Sequence, residues 1–146
     1  MALIHLETVI RAAPERVFDL ARDIDFHKRS MAHTGERAVA GRTSGLIEMD
    51  EDVTWEAKHF GLTLRLTSRI TAMERPRFFV DEQVRGPFSR FTHRHEFHAE
   101  GHGTRMVDLW SHGAPLGFLA DPMFLARYMR RLLETRNELL RSEAER

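Results

Sequence analysis

Leu62, Leu64, Leu66, Ile70 and Ala72 alternate with Thr63, Arg65, Thr67, Arg69 and Thr71. Alternation of period two gives a strand with one buried face and one wet face, as in an antiparallel sheet with one side on the core. The same texture runs from Glu36 to Gly113. Glu36–Ala40 and Leu46–Met49 are short strand candidates. In Asp52–Phe60, Val53, Trp55, Ala57 and His59 alternate with Thr54, Glu56 and Lys58. Phe78–Val84 follows the Arg75-Pro76 break, Ser89–Ala99 follows the Gly86-Pro87 turn, and Thr104–His112 follows Gly101–Gly103. Such short separations favour antiparallel hairpins. Ahead of this block, Ala2–Arg11 reads as a strand, and Pro14 suits the first turn of a helix carrying Val17, Leu20, Ala21 and Ile24. A second short helix is expected over Asp25–Ala32, with Gly35 as its stop. Behind the block, Met123–Ala144 contains neither Gly nor Pro. Leu125, Tyr128/Met129, Leu132, Arg136 and Leu139/Leu140 recur there at three- and four-residue steps, which makes a long amphipathic helix. A one-faced sheet needs a cover, and this helix is the element long enough to provide it. The expected class is therefore α+β. A curved antiparallel sheet of about six or seven strands wraps round the C-terminal helix, with two short helices after the first strand.

Composition narrows the chemistry. The 146 residues fit one domain spanning 1–146. Lys+Arg is 22 and Asp+Glu is 22, so no excess of positive charge argues for nucleic acid. The absence of Cys excludes disulfides, a thiolate nucleophile and a thiolate metal site. No apolar run is long enough to span a membrane, and Met1–Glu7 does not resemble a signal peptide, so a cytoplasmic location is expected. GxSxG, GxGxxG, P-loop and HExxH patterns do not occur. No cofactor is expected, and self-association is left open.

Of nine His, four fall between His93 and His102. Phe91 and Phe97 assign His93 and His95 to the core face of their strand, since side chains two apart share a face. Met106 and Trp110 do the same for Asp108 and His112 on the next strand. Asp108 thus comes near His93 or His95. His98 and His102 read as surface. The parity of Phe78–Val84 stays open: Phe79, Asp81 and Gln83 share one face, while the more apolar set Phe78, Val80, Glu82 and Val84 shares the other. The row Arg65, Arg69, Arg90 and Arg94 reads as a solvated outer face.

The order of elements resembles the helix-grip fold of the START-like superfamily, which includes polyketide cyclases, lipid-transfer domains and plant pathogenesis-related proteins. The stretch FFVDEQVRGPFSRFTHRHEFHAEGHGTRMVDLW (Phe78–Trp110) is similar to the polyketide cyclase/dehydrase-like bacterial branch, SRPBCC. The likeness is carried by Phe79-x-Asp81, Gly86-Pro87-Phe88, the alternation Phe91-x-His93-x-His95-x-Phe97, Gly103-Thr104 and Asp108. APERVFDLARD, WEAKHFG (Trp55–Gly61) and LLETRNELL, with its Arg136, fit as well. The resemblance implies a deep apolar cavity between sheet and long helix, and it inclines Phe79 and Asp81 toward that cavity.

Three functions are then weighed. In the first, the protein binds an apolar, lipid-like or aromatic small molecule. Trp55, Phe79, Phe91, Trp110 and Met129 line the pocket, and Asp81, His93, His95, Asp108 and Arg136 read the ligand's polar end. In the second it is a cyclase- or dehydratase-like enzyme. His93 or His95 is then the general acid/base and Asp108 its orienter, with no covalent nucleophile. In the third it binds a protein partner and no small ligand. Against the first two stands a bland account in which His93, His95 and Asp108 only satisfy one another. Arg136 is read as a boundary residue with its head in water, as an anchor for a ligand carboxylate at the cavity mouth, or as a partner of Asp108 or Asp81. His93, His95 and Asp108 are donor types a metal accepts, but the spacing is loose and no metal is expected.

Overall fold

The computed structural model describes residues 2–113 and 121–146. Of the residues expected from the sequence to form a loop before the last helix, Gly113, Pro115, Gly117 and Pro122, Pro115 and Gly117 lie outside the described residues and Pro122 opens that helix. Seven strands form one antiparallel sheet: β1 (Ala2–Ile10), β2 (Arg37–Gly41), β3 (Asp52–His59), β4 (Leu62–Glu74), β5 (Phe78–Arg85), β6 (Phe91–Glu100) and β7 (Gly103–His112). Their order is β1-β7-β6-β5-β4-β3-β2, so β2–β7 form a meander and β1 closes it beside β7. Helices α1 (Pro14–Ala21) and α2 (Ile24–Ser30) follow β1, and α3 (Pro122–Ala144) ends the chain.

Local chemistry explains the helix boundaries. Pro14 and Pro122 occupy the first helical turns, where a missing N–H costs nothing. Asp23 accepts from the Asp25 amide at 2.9 Å, and Asp121 accepts from the Met123 and Phe124 amides at 3.1 Å. These carboxylates satisfy donors that a helix start leaves free. After α2 the chain tightens through a 3-10 turn, Ala32–Thr34, and leaves it at Gly35 with φ +65°. At Gly103 the backbone passes so close to β1 that a Cβ would lie 2.3 Å from the Ile10 carbonyl oxygen.

Two details differ from expectation. Leu46–Met49 is not a strand: Leu46 makes one bridge to Asp23, and the ladder ends because Asp23 leads straight into α2. In β4 a bulge falls at Thr71, between the pairs Ile70↔Asp81 and Ala72↔Val80. One extra residue reverses the parity beyond it. Ala72 therefore faces out, and Met73, opposite Phe79, packs on the core.

One core cluster joins Ile10, Val17, Phe18, Phe97, Met106 and Leu140; a second joins Ile4, Phe91, Trp110, Leu125 and Leu133. Helix α3 leans on β1, α1 and α2, and makes few close approaches to the middle strands. It stands off from β3–β6, and that separation leaves space inside the fold.

Candidate functional site

The site begins with strand parity. On β6, Phe91, His93, His95 and Phe97 all point inward and are buried. On β7, Met106, Asp108, Trp110 and His112 do the same. The register sets His95 opposite Asp108 and His93 opposite Trp110. On β5 it sets Phe79 opposite His95 and Asp81 opposite His93. Phe79 is 2 % exposed, so the face carrying Phe79 and Asp81 is the inner one and the more apolar set faces out.

Helix α3 then delivers Arg136 and Asn137 onto these strands. Arg136 Nη1 donates to Asp108 Oδ1 at 3.2 Å and to Asn137 Oδ1 at 3.1 Å. Asn137 Nδ2 donates to Asp108 Oδ2 at 2.7 Å, and His93 Nε2 lies 2.7 Å from Asp108 Oδ1. Asp108 is 0 % exposed and accepts all three. Burial pushes its pKa up, but the His93 hydrogen bond and the Arg136 charge outweigh this and hold it well below the usual carboxylate range.

His95 is the complementary case. Burial pulls its pKa down to about 4, reinforced by His93 and opposed by the bond to Asp81. At neutral pH the ring is uncharged, so one nitrogen donates and the other accepts. Arg136 Nη2 lies 3.4 Å from Nδ1 and can only donate, so Nδ1 is the acceptor. Nε2 therefore carries the proton and donates to Asp81 Oδ2 at 2.7 Å. Burial raises the Asp81 pKa, but the His95 bond and the Arg136 charge lower it overall. No sealed side-chain N or O among the described residues lacks a partner.

Phe79, His95 and His93 stack in sequence, with ring centroids 4.1 Å and 3.6 Å apart. One ligand atom each from Asp81, His93 and His95 falls within 4.8 Å of the others. The two imidazole planes, however, are stacked and inclined by only 23°. A metal in the plane of one imidazole stands out of the plane of the other, and the Arg136 cation adjoins His95.

The network closes one end of a cavity of about 210 Å³ between the sheet and α3. A buried water needs only roughly 10–15 Å³ by the same kind of measure, so the space suits an organic molecule. Trp55, Phe79, Asp81, Phe91, His93, His95, Trp110, Met129 and Arg136 all line it. Asp108 does not, because it sits behind His93 and Arg136. Arg136 is 6 % exposed, so its head is not in water; it partners Asp108. Trp110 stacks on Phe91 at 4.7 Å and donates from Nε1 to His112 Nδ1 at 2.7 Å.

Sequence reasoning missed Asn137, which lies on the stripe of Leu133, Arg136 and Leu140 and was findable there. It also missed His27, Glu36 and Tyr128, which line the cavity with His59. His98 is exposed on the outer face beside Glu96. The outer arginines are engaged there too: Arg65 with Glu56, Arg69 with Asp52 and Arg94 with Glu96.

A curved seven-stranded antiparallel sheet gripping a long C-terminal helix defines the START-like helix-grip class. A family model described as polyketide cyclase / dehydrase and lipid transport matches residues 1–145, and the chain belongs to that family. Among solved structures it is similar to TTHA0849 from Thermus thermophilus, at 21 % identity and TM-score 0.72 over 98 % of this chain and 99 % of that one. It is also similar to Ara h 8.0201, at 10 % identity and TM-score 0.74 over 98 % and 97 %. The major latex-like protein 151 of Panax ginseng follows at 12 % identity and TM-score 0.67 over 98 % and 97 %. At these identities the likeness is one of fold. The comparison with curated proteins found no match. No helix among the described residues is long and apolar enough to cross a membrane.

Proposed function

We propose that the protein binds a mostly apolar small molecule, lipid-like or aromatic, in the cavity between sheet and α3. The observation that carries this reading is the cavity itself, with apolar walls and a preorganised polar end. Arg136 spends three of its donor directions on Asp108, Asn137 and His95. A guanidinium has five N–H groups, so donors remain at the cavity wall for a ligand oxygen. Asp81 and His93 add acceptor and ring-nitrogen positions beside it. Trp55, Phe91 and Trp110 supply flat apolar surface. Few convergent polar groups in an apolar pocket are the usual composition of a small-molecule site.

The test is native mass spectrometry of the full chain, with solvent extraction of whatever it retains. A retained apolar molecule, lost in a Leu66→Trp variant that fills the cavity, supports the reading. A Leu66→Trp variant that keeps the same retained molecule overturns it.

A second reading is favoured by one feature. Asp108 is sealed behind His93 and bonded to Nε2, while His93 Nδ1 has no partner among the described residues and its ring lines the cavity. A buried carboxylate that orients an imidazole is the arrangement of a general acid/base pair. In a cyclase or dehydratase, His93 would move the proton and Asp108 would fix the ring. His93→Ala and Asp108→Asn would then abolish any turnover found in a ketide or hydroxy-acid screen, and unchanged rates refute these roles.

A further inference from the structure

We infer that the cavity takes an elongated, uncharged ligand with a hydrogen-bonding group at each end, and that His59 and Tyr128 read the end remote from Arg136. This rests on the ligand-binding reading above and adds a second polar subsite to it. His59 Nδ1 lies 2.5 Å from the Tyr128 hydroxyl. Beside them, His27 Nε2 lies 2.6 Å from Glu36 Oε1, and the His27 ring packs against Trp55 at 4.3 Å. His27, Glu36, His59 and Tyr128 all line the same cavity as His93 and Arg136.

The two polar ends are well apart. Tyr128 and Arg136 are eight residues apart on α3. At ~1.5 Å of rise per residue this separates them by about 12 Å along the helix. On the sheet, His59 ends β3, whereas Asp81 and His93 lie two and three strands away, with neighbours ~4.8 Å apart. The wall between is formed by Leu64, Leu66, Ile70, Met129 and Leu132, with Ser68 as a single small polar interruption among these positions. Other polar wall residues are engaged elsewhere: Arg22 with Asp19 and Glu48, Asp23 with the α2 amides, and Arg65 with Glu56.

Charge decides the ligand's chemistry. Asp81 and Asp108 are both held ionised, against one guanidinium. A ligand carboxylate at that end meets the Asp81 carboxylate, and the Arg136 charge is already paired with Asp108, so a hydroxyl, phenol or carbonyl is the better match. At the other end, burial pulls the His59 pKa below its ordinary value and pushes Tyr128 above its own, so both groups are neutral at pH 7. Their shared hydrogen bond leaves an oxygen lone pair and the second ring nitrogen for a ligand hydroxyl. Phe60, at the tip of the β3–β4 hairpin, adopts φ +55°, as a two-residue hairpin turn requires. There its ring lies 4.7 Å from Tyr128 and 5.4 Å from Phe124, over the cavity rim.

The experiment is a fluorescence titration at pH 7 with para,para′-dihydroxystilbene, para-hydroxystilbene and unsubstituted stilbene. One added hydrogen bond is worth up to about a tenfold change in affinity. The doubly hydroxylated probe is therefore expected to bind roughly fivefold to tenfold more tightly than the singly hydroxylated one. In Tyr128→Phe and in His59→Gln that advantage falls to within about twofold. If the second hydroxyl adds nothing in the unaltered protein, or its advantage survives in both variants, this inference is overturned while ligand binding stands. If none of the three probes binds, the ligand-binding reading falls with it.

Discussion

Asp108 shows what a buried charge requires. Its carboxylate is fully enclosed and is met by His93, Arg136 and Asn137. Removing one partner from a buried ion pair costs about 3–5 kcal/mol, because the other charge is left uncompensated. Asp108→Ala is expected to destabilise the chain by that order in urea denaturation. Arg136→Met is expected to cost less, because His93 and Asn137 still hold the carboxylate. His95 makes a separate prediction in pH. Its folded pKa is about 4 against an ordinary 6.5, so between these values the unfolded chain binds the extra proton. Stability from this group is complete above pH 6.5 and declines as pH falls toward 4, at up to about 1.4 kcal/mol per pH unit. His95→Gln is expected to flatten that part of the stability–pH curve, and an unchanged slope contradicts the assignment. Much of this site was legible in the sequence. Strand parity places His93, His95 and Asp108 together, because one Phe or Trp fixes the facing of a whole strand. Asp81 was ambiguous, because Phe78 and Phe79 give both faces of β5 an aromatic anchor. Arg136 was readable as a partner of Asp108 but not to the exclusion of Asp81 or water, since only the packing of α3 against the sheet decides which charge an interior arginine meets.

Elements were legible to the extent that their patterns were undisturbed. Alternation in β3, β6 and β7 and the three- and four-residue steps of α3 carry through to the structure. The Thr71 bulge does not announce itself, because an extra residue changes facing without changing composition. It yields a sharp contrast between neighbours. Ala72→Lys, on the outer face, is expected to stay within about 0.5 kcal/mol of the unaltered stability. Met73→Lys, facing the core, is expected to cost about 2 kcal/mol or more. Equal effects in thermal melts contradict the register assigned to β4. Leu46–Met49 shows the opposite error. A short apolar run looks like a strand, yet the chain opposite it becomes α2 after a single pair, so no ladder grows.

For the whole molecule, seven strands turned round one helix leave more interior than their side chains fill. The helix order and the one-sided strands made that architecture readable. The cavity depends on how far α3 stands from β3–β6, a distance that no local pattern encodes. This space is proposed to hold a mostly apolar ligand with its polar end against Asp81, His93 and Arg136. A crystal structure of the full chain with para-hydroxystilbene tests it most directly. The stilbene body is expected between Trp55 and Trp110, with its hydroxyl within hydrogen-bonding distance of Asp81, His93 or Arg136. A probe found only on the outer surface, with the interior closed by side chains, contradicts it.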